Sequence, residues 1–119
     1  MHRKDAGMAA EAAACRFLET QGLKLLEKNF RCRGGEIDLI MQDGPVVALI
    51  EVRLRSHVAF GGAAASVDSR KQQRLIAAAR YLTLVRVDMR SHRLRFDVVT
   101  FEPDGSVLKL CWIKDAFRL

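Results

Sequence analysis

The amino-acid sequence predicts a mixed α/β domain with its elements in the order α-β-β-β-α-β-β, and three observations carry that expectation. A run from Met8 to Gln21 is rich in Ala, Glu and Leu, which are good helix formers. Two apolar segments, EIDLIMQ and VVALIEVRL, flank Asp43-Gly44-Pro45, a turn signal that makes an antiparallel hairpin their natural connection. Farther on, Gln72, Leu75, Ile76, Ala79 and Leu82 recur on or near one face of a helix, and two more apolar segments follow. The chain has 119 residues, half of them apolar, which is enough to bury one core without disulfide or metal staples.

In chain order, the first helix is expected to stop at Gly22, where a C-terminal cap belongs. Residues 23–30, LKLLEKNF, read as a first strand, and the basic, glycine-bearing RCRGG as the turn after it. The hairpin strands span 36–42 and 46–54. Residues 56–67, SHVAFGGAAASV, have neither clean period nor charge, and their paired glycines predict a mobile loop. Asp68 or Ser69 then caps a second helix running to about Leu82. After a polar stretch at 86–94, RFDVVTFE predicts a strand over 95–102 and Pro103-Asp104-Gly105-Ser106 a turn. VLKLCWI gives a last strand over 107–113, and residues 114–119 a short tail. No repeat, low-complexity segment or linker interrupts this order, so residues 1–119 read as a single domain.

Charge and cysteine usage narrow the function classes. Lys and Arg number 20 against 14 Asp and Glu, a formal net charge of +6, which favours a polyanionic partner such as nucleic acid. Cys15, Cys32 and Cys111 are odd in number and widely spaced, so reduced thiols are expected rather than disulfides or a zinc site. The N-terminal run is interrupted by Glu11 and Arg16 and lacks the apolar stretch of a signal peptide. No segment approaches the roughly 18 apolar residues of a membrane span. The expected setting is the cytoplasm, with no membrane partner.

The hairpin puts acid in unusual places. Strand side chains alternate, so Glu36, Asp38 and Ile40 share one face of the first hairpin strand while Ile37, Leu39 and Met41 share the other. In the second strand Val47, Leu49, Glu51 and Arg53 share a face opposite Val46, Ala48, Ile50, Val52 and Leu54. Pro45 fits poorly in a paired strand, which predicts a four-residue loop, Asp43 to Val46, with Gln42 opposite Val47 and Asp38 opposite Glu51. Like charges so opposed destabilise a sheet, and a buried carboxylate costs several kcal/mol unless paired or metal-bound. Glu11 adds a third acid, because Glu11, Ala14, Cys15 and Leu18 follow the helical period on the stripe facing the sheet. Three converging carboxylates suit a divalent ion such as magnesium, which can activate water and steady a phosphodiester under attack. The same residues also allow a salt-bridge network with Arg31, Arg33, Arg53 and Arg55, and the geometry alone leaves both readings open.

Gly35-Glu36-Ile37-Asp38-Leu39-Ile40, followed by Ile50-Glu51-Val52-Arg53-Leu54-Arg55-Ser56 and preceded by Glu11 and Asn29-Phe30-Arg31, resembles the YraN-like family of bacterial proteins. That family is placed in the PD-(D/E)XK nuclease superfamily, close to the archaeal-type Holliday junction resolvases. The likeness runs nearly end to end, through Phe60-Gly61, Ser66-Val67, Lys71, Ala78-Ala79, Tyr81-Leu82, Arg95 to Val99, Trp112-Ile113 and Ala116-Phe117. It implies a restriction-endonuclease-like core, a mixed central β-sheet flanked by helices. It also implies a metal-dependent endonuclease that hydrolyses DNA phosphodiester bonds, on branched or flapped DNA, in repair or recombination.

Carried over residue by residue, the resemblance implies Asp38 and Glu51 as ligands of Mg²⁺ or Mn²⁺, the Val52 backbone carbonyl as a further ligand, and Glu11 as the helix acid completing the site. Glu36 matches the motif without an assigned role, and pairing with Arg33 or Arg55 is the alternative for it. The family's usual third-motif residue is Lys, whereas this chain has Arg53, which can stabilise a transition state but cannot act as a base. Arg55 follows on the same face and is expected to contact nucleic acid and to compensate for Arg53. Lys71 matches a substrate-facing helix position of resolvase relatives, and with Arg70 and Arg74 is expected to bind backbone phosphate. The implied partner is nucleic acid, DNA foremost, and a homodimer is a further expectation because resolvase relatives act as dimers. Two rival readings stand beside the nuclease: a nucleic-acid-binding protein that has lost cleavage through Arg53, and a structural or partner-binding domain with salt-bridged acids. His2, His57 and His92 read as surface residues, Asp97 as the partner of an Arg, and Trp112 and Phe117 as packing residues.

Overall fold

Helix α1 (Arg3–Thr20) stops because Gly22 adopts a left-handed φ of 94°, a conformation costly for any residue with a Cβ. The turn sends the N–H groups of Gly22 and Leu23 back to the carbonyls of Glu19 and Leu18, each at 3.1 Å, satisfying oxygens that the helix end leaves over. The structure, a computed structural model, describes residues 3–55 and 67–118. The helix begins before the expected Met8, and Gly7 is the weak helix former that hides this extension in the sequence.

Strands β1 (Lys24–Cys32), β2 (Gly35–Asp43) and β3 (Val46–Leu54) form an antiparallel meander. Asp43 pairs with Val46, so the β2–β3 loop is only Gly44-Pro45, shorter than the expected four residues, yet Gln42 still faces Val47. Gly44 takes φ 59°, the sign a tight hairpin demands of its first central residue when Pro, with its fixed negative φ, is the second. A parallel strand cannot follow by a hairpin. The connection from β3 to its parallel neighbour β4 (Arg93–Asp104) therefore crosses over through helix α2 (Ser69–Val85) and the one-turn helix α3 (Val87–Arg90). Strand β5 (Val107–Phe117) returns antiparallel to β4, giving a five-stranded mixed sheet in the order β1-β2-β3-β4-β5.

The expected α-β-β-β-α-β-β order is the observed one, with α3 added inside the polar stretch, where Arg86 is paired with Asp88 and Glu27. The last hairpin is longer than expected. Its turn is Gly105-Ser106, and Pro103 is tolerated in β4 because β3 has already ended opposite Phe101, leaving β4 one neighbour there. The tail from Lys114 continues β5 to Phe117, which stacks on Phe96 with ring centroids 4.7 Å apart. The expected loop lies, up to residue 66, outside the described residues.

Each side of the sheet carries a core. Ala10, Ala14, Cys15 and Leu18 of α1 pack on Leu39, Met41, Ala48, Ile50, Val99 and Phe101. On the other side Leu75, Ile76, Ala78, Ala79 and Leu82 of α2 pack on Ile37, Ile40, Val47, Leu49, Phe96 and Val98. Fully burying a Leu or Ile is worth about 1.5–3 kcal/mol, so both helices are held firmly against the strands that carry the acids. The approach of α2 is closest at Gly35, where a Cβ would overlap the carbonyl oxygen of Arg74. Gly35→Ala should therefore destabilise the fold by about 1–3 kcal/mol. Gly7→Ala, in a helix with open space around it, should stabilise it by roughly 0.5–1 kcal/mol. Urea denaturation midpoints of the two variants, moving in opposite directions, check the assignment; an unmoved midpoint for Gly35→Ala contradicts it.

Candidate functional site

The backbone ladder between β2 and β3 runs from Asp43 and Val46 to Leu39 and Ile50. The next opposed positions are Asp38 and Glu51, as the sequence register predicts. There the Asp38 carboxylate takes over from the backbone: its Oδ2 accepts the Val52 N–H at 2.8 Å. Because N–H and C=O of an extended residue point the same way, the Val52 carbonyl faces this same gap.

Clean alternation fails at this point. Ile37 was expected on the face of Leu39 but packs with Ile40 on the α2 side, while Leu39 and Met41 pack against α1. Asn29, which falls opposite Asp38 on β1, has φ 53°, a left-handed residue that interrupts the pleat where the acids gather. Asn is among the side-chain-bearing residues that tolerate this conformation best. Its side chain lies near the Glu11 carboxyl and lowers its pKa.

Asp38 and Glu51 are both buried. Burial pushes the Asp38 carboxyl up to about 8, helped by the charge of Glu51 and by a hydrogen bond with Glu51, against the pull of the Val52 N–H. Below that pH, in the metal-free protein, Asp38 keeps its proton, the usual outcome for a carboxyl buried beside a second acid. Cations reach Glu51 from two sides. The Lys71 Nζ lies 3.0 Å from Glu51 Oε2, and Arg53 Nη1 lies 3.9 Å from the same oxygen.

Lys71 is placed by the start of α2. Asp68 caps the helix, its Oδ1 accepting the Lys71 N–H at 2.9 Å, and the Gln72 side chain donates to the Val67 carbonyl at 3.0 Å. Arg70, Lys71 and Arg74 line a cleft of about 380 Å³ together with Glu36, Glu51, Asp68 and Leu75. The structure thus brings Asp38, Glu51, Val52, Arg53 and Lys71 together, with Arg70 and Arg74 on the cleft wall.

Three expected residues stand differently. Glu11 is partly buried and raised in pKa by that burial, which outweighs the lowering by Asn29; Glu36 and Glu51 lie within electrostatic reach. Among the described residues no three His, Cys, Asp or Glu groups stand close enough to form a metal-binding cluster; Asp38 and Glu51 are the close pair, and Glu11 lies within electrostatic reach of both. Glu36 pairs with Arg31 at 3.1 Å, not with Arg33 or Arg55, because β1 sets Arg31 directly opposite it. Arg55 is turned inward, its side chain only 6% exposed and 3.6 Å from Glu102, because its N–H extends the β3–β4 pairing to the Phe101 carbonyl. It is a buried partner of β4 rather than a cation on the cleft.

The chemistry of the donor set fits a small divalent cation. Mg²⁺ takes one or two carboxylates, keeps several waters and completes its shell with substrate phosphate, and two buried carboxyls beside a backbone carbonyl offer that minimum. The ammonium of Lys71 already stands at Glu51 as a cation. Two contacts were not assigned from the sequence: Asn29 on Glu11 and Lys71 on Glu51. The signal for the second was available in Asp68-Ser69-Arg70-Lys71, since a capping Asp three residues ahead fixes where the Lys begins.

Fold and site together define a small mixed α/β protein with a nuclease-like core, a buried acid pair in its central hairpin and a basic helix start across from it. The family described as "Uncharacterised protein family UPF0102" matches residues 10–101, and the chain belongs to this family, the YraN family. Relatives include a UPF0102 protein of Pseudomonas savastanoi pv. phaseolicola, 48% identical over 97% of this chain and 94% of that protein. Another, from Stutzerimonas stutzeri, is 47% identical over 97% of this chain and 96% of its own. A third, from Janthinobacterium sp. strain Marseille, is 50% identical over 95% and 87% respectively. No helix among the described residues is long and apolar enough to cross a membrane.

The raised pKa of Asp38 makes a stability prediction. The unfolded chain releases this proton near the ordinary value of 3.8 and the folded, metal-free protein near 8, so the native state holds more protons between the two. The Asp38 contribution is complete below the unfolded value and is lost as pH rises through the folded one. Asp38→Asn, which cannot ionise, should therefore gain stability relative to the parent from pH 5 to pH 8 in chelator-treated buffer. Urea melts at the two pH values check this, and parallel behaviour of parent and variant contradicts it.

Proposed function

We propose that this protein is a divalent-metal-dependent endonuclease that hydrolyses phosphodiester bonds of DNA, branched or flapped substrates included, in repair or recombination. The observation that carries the reading is the buried Asp38–Glu51 pair, whose Glu51 lines a cleft together with Arg70, Lys71 and Arg74. Asp38, Glu51 and the Val52 carbonyl would hold Mg²⁺ or Mn²⁺, with Glu11 reaching the site through water. When bound, such an ion supplies Lewis acidity toward a phosphate oxygen and makes a bound water more acidic. Arg70 and Arg74 bind phosphates on either side of the cleavage point, and these contacts carry no sequence information. Glu36, paired with the exposed Arg31 on the cleft rim, keeps the entrance from becoming uniformly basic.

A second reading, nucleic-acid binding without cleavage, is favoured by one observation. Arg53 occupies the position where the family pattern has Lys, and it cannot surrender a proton. Incubating the protein with linear, flapped and four-way DNA, with and without Mn²⁺, separates the two. The parent should cut only with metal. An Asp38→Asn Glu51→Gln double variant should cut at least about 10²-fold more slowly, the scale seen when a transition-state contact is removed. It should also lose the rise in melting temperature that Mn²⁺ gives the parent. Binding without cutting under all conditions moves the conclusion to the second reading, and neither binding nor cutting leaves a structural domain with salt-bridged acids.

A further inference from the structure

We infer that Lys71, reaching across the cleft from α2, is the catalytic cation of this site, in place of the strand residue Arg53; this rests on the nuclease reading above. Both cations address the same oxygen, Glu51 Oε2, but from different places. Lys71 Nζ is at hydrogen-bonding distance, 3.0 Å, whereas Arg53 Nη1 stands off at 3.9 Å. Arg53 also grows from the same strand as Glu51, two residues on, so it lies on the acid's own wall. Lys71 grows from a different element, α2, and lines the cleft beside Glu51, where a phosphate entering it comes within reach of the ammonium.

The base of the Lys71 side chain is fixed before any substrate arrives. Asp68 holds the Lys71 N–H, Gln72 is tied to the Val67 carbonyl, and Leu75 and Ile76 anchor the same turn and the next in the core. The outer part of the side chain is free to adjust, being 43% exposed. A lysine ammonium is a compact point charge on a flexible stem, so it can leave Glu51 for a non-bridging phosphate oxygen when that carboxylate is otherwise engaged.

In the hydrolysis step the water oxygen forms a bond to phosphorus as the bond from phosphorus to the leaving oxygen breaks. The proton of the attacking water passes to solvent, and the leaving oxygen takes one from solvent. Lys71 keeps its proton throughout and acts only by its charge on the phosphate, where negative charge builds up in the transition state.

Single-turnover cleavage of flapped and four-way DNA in Mn²⁺ tests this with Lys71→Ala, Lys71→Arg and Arg53→Ala. Lys71→Ala should slow cleavage by about 10²–10³-fold, the cost of removing a charge-stabilising donor. Lys71→Arg should restore part of the loss, and Arg53→Ala should lose at least tenfold less than Lys71→Ala. A second readout does not depend on cutting. In Ca²⁺, the slope of log binding constant against log salt should fall by about 0.9 in Lys71→Ala, the loss of one phosphate contact on duplex DNA. Unchanged melting curves exclude misfolding as the cause. If the parent cuts and Lys71→Ala cuts nearly as well, or if the salt slope does not move, the inference is overturned and the nuclease reading stands. If the parent cuts nothing, both are overturned together.

Discussion

Everything at the centre of this molecule answers to one cost: two carboxyls, Asp38 and Glu51, buried side by side where the β2–β3 ladder ends. Burial strips both of most of their hydration, and their mutual repulsion adds to that loss. The local structure moderates the cost in three ways, each with a visible geometric consequence. The Val52 N–H turns from the backbone ladder to Asp38. A proton is retained on Asp38. Lys71 is drawn to Glu51 from a helix twenty residues along the chain. The last two are reversible, since a proton or an ammonium can yield to another cation, which a hydrophobic replacement of the acids could not do.

The sheet around the acids makes the arrangement rigid. Leu39, Ile40, Leu49 and Ile50 are completely or almost completely buried, in two separate cores, one on each side. Neither strand can rotate to release its acid without exposing these side chains, at about 1.5–3 kcal/mol each. Gly35 extends the constraint to α2, since its missing side chain lets the Arg74 turn of the helix rest on the backbone of β2. The cations of the cleft therefore ride on a helix whose distance from the acids is set by backbone contact.

Much of this was legible in the sequence, for identifiable reasons. Strand β3 has the predicted bounds because its apolar run is bordered by Pro45 on one side and by the charged Arg53-Leu54-Arg55 end on the other. The opposition of Asp38 and Glu51 follows from counting outward from the Gly44-Pro45 turn, and it survives the error in loop length because Asp43 and Val46 pair with each other in the same register. Helix α2 is announced by the Asp68 cap and its apolar stripe. What escaped is what periodicity cannot carry. Ile37 lies off its expected face because Asn29, across on β1, is left-handed, a backbone choice that alternating hydrophobicity does not encode. Arg55 was read as a surface cation by extrapolating β3, but the pairing with β4 that buries it involves a strand nearly forty residues downstream. The strand over 114–117 was hidden by Lys114 and Asp115, the latter with φ 54°.

The sheet also contains its own control for what a buried acid means. Asp97 on β4 is as deeply buried as Asp38, yet it is fully satisfied. Both carboxylate oxygens accept from the Arg95 guanidinium at 2.8 Å, the Trp112 Nε1 donates to one at 3.1 Å, and the Asp115 N–H donates to the other at 3.0 Å. Arg95 in turn is raised in pKa chiefly by its hydrogen bonds to Asp97, and it reaches Asp43 as well, tying the start of β4 to the end of β2. A carboxylate with four donors, two of them from one guanidinium, has no capacity left for a ligand and serves to pin β5 onto β4. Asp38 has one backbone donor and a second acid for a neighbour. Burial alone does not separate a structural acid from a functional one; the donor inventory does. Within one sheet it assigns Asp97 to holding the fold and sets apart Asp38, which has a single backbone donor and a second acid beside it.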